Sequence, residues 1–213
     1  MARKAILASR AFQALRTGNV DRDGYAKHLC AHFAVRRALE SQLDALRGRA
    51  VVCNQFTNEY KSFDLADLFR PEHRRSAAIL EDIVSLTGSA PNSKFVPVWA
   101  KPLITYVERV SEVYSVALLG VLYTLEEAAV HAGPTIAASL DRAFDLRGSA
   151  TGYLTITPRR RQSFRDFRAA LDSISDLQTQ VNIVTASTLS YRMYADLVNL
   201  RPGRPARRSS RVQ

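Results

Sequence analysis

His28 and His32 stand four residues apart in a segment with helical spacing, which places both imidazoles on one face, one turn apart. A pair so arranged can hold one metal ion, or can offer neutral nitrogen donors near neutral pH. Glu127 and His131 repeat the four-residue spacing further along, with Glu126 alongside, and carboxylate with imidazole is a donor set suited to a non-heme metal such as iron. The residues alone leave a hydrogen-bonded structural role open for each histidine. His73 lies among Glu72, Arg74 and Arg75 beside Pro71 and reads as a surface residue at a helix start. Arg161, Arg165 and Arg168 are spaced by four and three, so they put three cations on one helical face, either for an anionic ligand or as a solvated basic surface. No serine sits in a turn that would expose a nucleophile, and there is no glycine-rich phosphate loop or paired cysteine motif.

Helices must position these groups. Residues 2–17 carry Ile6, Ala8, Phe12 and Leu15 at close to a 3.6-residue repeat, and Gly18 supplies a stop. A second helix is expected from Asp23 to Arg47, with Tyr25, Leu29, His32, Arg36, Leu39, Leu43 and Leu46 on one stripe; a histidine and an arginine on that apolar stripe are unexpected. A short helix is expected over Phe63 to Phe69, and another from Pro71 to Gly88. From Leu103 the pattern continues for many turns toward Gly133 and Pro134, predicting one long central helix bent where proline removes a backbone donor. Two more helices should cover Arg160 to Ile174 and Asp176 to Leu200, and no strand signal stands out. The fold class is therefore all-α, a single-domain helical bundle.

Composition sets the outer bounds. The chain has 213 residues, 46% of them hydrophobic, enough for one substantial core. The greasiest stretch, Val113 to Tyr123, is too short to span a membrane. Cys30 and Cys53 are too few for a disulfide scaffold, which fits a reducing, cytoplasmic setting; the first residues carry Arg3, Lys4, Arg10 and Arg16 with no acid, so organelle targeting stays open. The net charge of +10 is unevenly spread: residues 201–213 hold Arg201, Arg204, Arg207, Arg208 and Arg211 with no acid, and read as a disordered basic tail after a domain spanning 1–200. With half the excess charge in that tail, a dedicated nucleic-acid surface on the body is not expected.

Several stretches, in order and compatibly spaced, resemble heme oxygenases. They are the turn Gly18-Asn-Val-Asp-Arg-Asp-Gly24-Tyr25, the segment Phe69-Arg-Pro-Glu-His-Arg-Arg75 with Ala78, Leu80 and Asp82, the run Ala100 to Val113, and Ala143-Phe-Asp-Leu146 before a glycine-containing loop. The resemblance implies the heme oxygenase-like bundle, with a kinked helix over a central pocket. It also implies heme as ligand, biliverdin as product and an external electron donor. In that family the first helix gives iron a histidine about fifteen residues before the glycine matching Gly18. Here that position is Arg3, whose protonated guanidinium has no lone pair to offer. On the segment matching Ala128 to Gly133 the small residues Ala128, Ala129, Ala132 and Gly133 are kept, but Ala129 stands where an aspartate often organises water. By the resemblance His28 and His32 face the heme pocket, His131 lies on its other wall, and Arg168 falls where a cation meets the propionates. Three readings follow: a heme-binding oxygenase with His28 or His32 as substitute ligand; a noncatalytic relative that binds a tetrapyrrole or a protein partner; and a non-heme metal oxidase using His28, His32, Glu127 and His131.

Overall fold

Asp21 opens a 24-residue helix: its carboxylate accepts the Gly24 amide at 2.6 Å and caps α2, Arg22–Ala45. A computed structural model describes residues 10–47, 50–51, 63–64, 68–92 and 96–197. Arg3, Cys53 and the basic tail lie outside the described residues. Seven α-helices occur among the described residues. Before α2 comes α1, Arg10–Thr17; after it come α3, Ser76–Thr87, α4, Lys101–Val113, α5, Ala117–Phe144, α6, Pro158–Asp172, and α7, Leu177–Leu197.

Glycines are decisive at two crossings. Gly18 ends α1 at φ +72°, and a Cβ there would lie 2.8 Å from the Ser139 carbonyl oxygen, so both conformation and space exclude a side chain. The Ser139 hydroxyl donates to the Arg16 carbonyl at 2.7 Å, tying α1 to α5. At Gly120 a Cβ would lie 2.2 Å from the Ile183 carbonyl oxygen; α5 and α7 meet there backbone to backbone. The Thr124 hydroxyl, one turn on, donates to the Gly120 carbonyl at 3.0 Å and lies 3.1 Å from the Ser187 hydroxyl.

The expected single central helix is two. Tyr114 leaves helical geometry at φ −143°, ψ 72°, and α5 restarts at Ala117. The reason lies in what each piece buries. α4 is amphipathic, with Leu103 and Val107 inward and Val113 and Tyr114 exposed, whereas Ala117 through Leu122 are buried on every side. One straight rod cannot lie on the surface and also pass through the centre. Helix α5 then continues through Pro134 without losing its helical assignment. A second departure concerns Phe63: Phe63–Asp64 is extended and pairs antiparallel with Ala50–Val51, Ala50 opposite Asp64 and Val51 opposite Phe63, so helix does not begin there. Ladder hydrogen bonds satisfy these backbone groups where no apolar helical face is available.

The core runs the length of α2, α5 and the inner faces of their neighbours, with Leu29, Leu39, Ile79, Leu103, Leu118 and Leu119 fully buried. Each such side chain contributes roughly 1.5–3 kcal/mol on burial. None of the described helices is long and apolar enough to cross a membrane.

Candidate functional site

Helix α2 carries His28, His32 and Arg36 at four-residue intervals, and all three are buried, at 2%, 5% and 3% exposure. The two imidazole centroids are 4.3 Å apart. Tyr25, just under one turn before His28, stacks on it at 6.4 Å and donates its hydroxyl to the Ala150 carbonyl at 2.7 Å. Facing this stripe is Tyr153, on the 3-10 turn Gly152–Leu154. That turn is held from two more sides. The Asp82 carboxylate, on α3, accepts the amides of Gly152 and Tyr153, both at 2.8 Å, and Arg160, in the first turn of α6, donates to the carbonyls of Tyr153 and Thr155 at 3.1 and 3.0 Å. So anchored, the Tyr153 hydroxyl lies 3.3 Å from His28 Nε2, and Tyr194 of α7 meets His32 edge-on at 5.2 Å.

Between these groups is a cavity of about 20 Å³, room for a water-sized guest. Phe12 and Leu15 of α1, Leu125, Ala128, Ala129 and Ile136 of α5, and Leu154 complete its walls around His28, His32, Arg36, Tyr153 and Tyr194. His32 Nε2 is buried with no hydrogen-bond partner. Burial, reinforced by His28 and Arg36, holds the His32 pKa well below the usual imidazole range, so the ring is neutral at pH 7 and keeps a lone pair. Burial likewise pushes the Tyr25, Tyr153 and Tyr194 phenols upward, leaving them protonated. His32 and the three phenols thus offer uncharged donors and acceptors, with Arg36 the one cation on the cavity wall.

One turn beyond His32 the character changes. Glu126, fully buried on α5, is ion-paired through Oε1 with Arg36 Nη2 at 2.8 Å and accepts Arg160 Nη2 on Oε2 at 3.3 Å. Glu40, also buried, accepts the amides of Arg75 and Ser76 at 2.7 and 3.0 Å and so fastens the start of α3 to α2. The α2 stripe that reads as His28-His32 continues by the same interval into Arg36, and that continuation is the sequence signal for the ion cluster. Arg160 and Tyr153 carry no comparable signal, since their partners are remote in sequence.

The structure brings His28 and His32 together and sets Ala128 and Ala129 beside them. It does not bring His131 in: that side chain is exposed, because α5 turns residue 131 away from the face that buries Leu125 and Ile136. Glu127 is buried but does not line the cavity. Among the described residues no group of three or more His, Cys, Asp or Glu side chains could hold a metal ion, so the set His28, His32, Glu127 and His131 expected for non-heme iron does not assemble. Gly133 does not line the cavity either; its missing side chain admits the Leu154 carbonyl oxygen, 2.8 Å from where a Cβ would be. Arg161, Arg165 and Arg168 are exposed along α6, whose inward face is Arg160, Ser163, Phe164 and Phe167. His73 is fully buried, contrary to its surface expectation. Its Nδ1 accepts the Arg70 amide at 3.2 Å, its Nε2 lies 3.2 Å from the Ser163 hydroxyl, and its ring packs on Phe167, so the charged neighbours in sequence point elsewhere.

Comparison with known proteins agrees with this architecture. The sequence matches the heme oxygenase family model over residues 8–199. Among solved structures, heme oxygenase from Leptospira interrogans superposes with a TM-score of 0.78 at 21% identity, covering 92% of this chain and 92% of that one. Heme oxygenase-1 from the cyanobacterium Synechocystis, solved in complex with heme, gives 0.78 at 16% identity over 93% of this chain and 86% of that one. Heme oxygenase-2 from Synechocystis, in complex with heme and NO, gives 0.73 at 19% identity over 92% and 83%. No curated protein matches the sequence significantly.

Proposed function

The chain belongs to the heme oxygenase family, and on that premise we propose that it binds heme, with His32 as iron donor in place of the histidine that the family has at the position of Arg3. The observation that carries this reading is the His32 imidazole, held neutral, with Nε2 buried at a cavity wall and bonded to nothing. A ring in that state is a Lewis base waiting for an acceptor. His28 is the weaker candidate, since its Nε2 lies within hydrogen-bond distance of the Tyr153 hydroxyl.

The residues present fit the donor chemistry. The cavity itself admits a water-sized guest, far below the roughly 300–1,000 Å³ of ordinary ligand pockets, so the described residues account for the iron donor and not for the seat of the macrocycle. Ala128 and Ala129 keep the α5 wall low, Phe12, Leu15 and Leu125 make the facing walls apolar, and the Tyr153 contact orients the imidazole pair from His28. Arg168, exposed on α6, is the cation proposed for a propionate. Bound heme would supply the oxygen chemistry of oxidation toward biliverdin, with electrons from an external reductase.

A second reading, a tetrapyrrole-binding relative without turnover, is favoured by the carboxylates. Glu126 is fully engaged by Arg36 and Arg160, and residue 129 is alanine, so no carboxylate lines the described cavity to organise water there. Titration of the purified protein with hemin, read by visible spectroscopy, tests both. The expected result is a sharp stoichiometric Soret band that is lost in His32→Leu. A band indifferent to that substitution removes His32 as ligand. Reductant and oxygen then divide the readings: decay of the band with bilin appearing establishes the oxygenase, and a persistent band without bilin establishes the noncatalytic relative.

A further inference from the structure

The neighbourhood of Glu126 holds more buried donors than its acceptors can take. Glu126 accepts one nitrogen of Arg160 and is ion-paired with one of Arg36, the Glu126 Oε1 being left without a hydrogen bond, and Arg160 Nη1 is spent on two carbonyls. Arg36 Nη1, Arg160 Nε and both Nε and Nη2 of Arg75 remain, every one buried and without a hydrogen-bond partner. Nε and Nη2 together form one edge of a guanidinium, the fork whose two parallel N–H groups grip an anion.

Arg75 is only 7% exposed and is coupled electrostatically to both Glu126 and Arg36, so it belongs to the same cluster. Burial lowers its pKa to about 10, which still leaves it a cation at neutral pH. The other carboxylates nearby are occupied. Asp82 accepts the amides of Gly152 and Tyr153, and Glu40 accepts those of Arg75 and Ser76 together with the Ser76 hydroxyl. An unpaired guanidinium fork is among the costliest groups a protein interior can hold. A water molecule would accept from the fork but bring two protons, and Glu126 Oε1 is the one carboxylate oxygen of the cluster still without a hydrogen bond. An anion accepts only.

We propose that Arg75, with Arg36 and Arg160 supporting it, is a buried binding site for a small monovalent anion of halide size at the junction of α2 and α3. Arg36 also lines the cavity beside His32, but Arg75 does not, and the anion site does not depend on His32 holding heme. Bromide is the probe, because its anomalous scattering marks its position. Crystals of the full chain equilibrated with sodium bromide should show an anomalous peak within hydrogen-bond distance of Arg75 Nε and Nη2. Arg75→Lys, which keeps the charge and loses the fork, should lack it. In solution the wild-type thermal midpoint should climb with bromide relative to sodium gluconate at equal ionic strength, while Arg75→Lys responds equally to both salts. Absence of a peak at the fork, or a peak unchanged in Arg75→Lys, overturns the site. If the variant does not fold, the wild-type peak and salt comparison decide: no peak, or equal response to the two salts, rejects the proposal.

Discussion

Two buried polar clusters sit one helical turn apart on α2 and solve the same problem differently. Around His28 and His32 the imidazoles lie side by side with phenols above, and burial drives His32 and the phenols toward their uncharged forms. Around Arg36 they are ions, drawn together by one carboxylate shared between two guanidinium groups. The neutral cluster costs little to bury and leaves an atom available for chemistry. In the ionic cluster Glu126 is committed to two cations, so its chief contribution is to shape. A carboxylate next to a cavity is therefore no guide to reactivity until its partners are counted.

The comparison is broken most severely at Glu126. Glu126→Ala leaves two buried cations without their counterion, and stability should fall by about 3–5 kcal/mol in urea unfolding. A loss under about 1 kcal/mol would mean the ions are solvated after all.

Next in size is a pH effect from two buried histidines, His32 in the neutral cluster and His73 near the ionic one. His32 and His73 both have pKa values held below the ordinary 6.5, chiefly by burial. Below the unfolded value the unfolded chain takes up protons that the folded chain refuses. Stability is thus fully present above that value and drains away as pH falls toward the depressed folded values, by up to about 1.4 kcal/mol per pH unit for each histidine. Urea midpoints measured from about pH 8 down to about pH 5.5 should show the slope, and His73→Gln should reduce it. An unchanged slope in that variant would remove His73 from the account.

Tyr153→Phe is a smaller change. It removes the hydroxyl beside His28 and should cost roughly 0.5–1.5 kcal/mol, while the backbone anchors to Asp82 and Arg160 keep the turn in place. Loss of crystallographic order over Gly152–Leu154 in the variant would show that the hydroxyl, not the anchors, holds the turn. Smallest of all, alanine at Arg161, Arg165 or Arg168 should alter stability by less than about 0.5 kcal/mol, since these cations are exposed and the buried ion cluster does not use them. A larger change at any of the three would show that exposure does not separate the two classes of arginine here.

Much of the fold is legible in the sequence because its signals are local. The Gly18 to Tyr25 turn, the glycine at position 88 and the stripe on α2 each announce an element with a few adjacent residues. The break at Tyr114 is not local: residues 103–121 keep an unbroken apolar rhythm, and only the need for α5 to enter the core decides where it ends. His73 was hidden for the same reason, since Ser163 and Phe167 bury it from ninety and more positions away. At the site, the i, i+4 spacing disclosed His28 with His32. It suggested His131 equally well, because spacing reports which residues share a face and not which way the face is turned.

Gly120 and Gly133 limit what this architecture can become. At one the α7 backbone fills the place of a side chain, and at the other the Leu154 carbonyl does, so α5 is clamped on two flanks with no slack of even one methyl group. Evolution working on such a frame is free to exchange the chemical lining of the chamber and is barred from widening it along those flanks. That fits an outline that persists at about one-fifth identity.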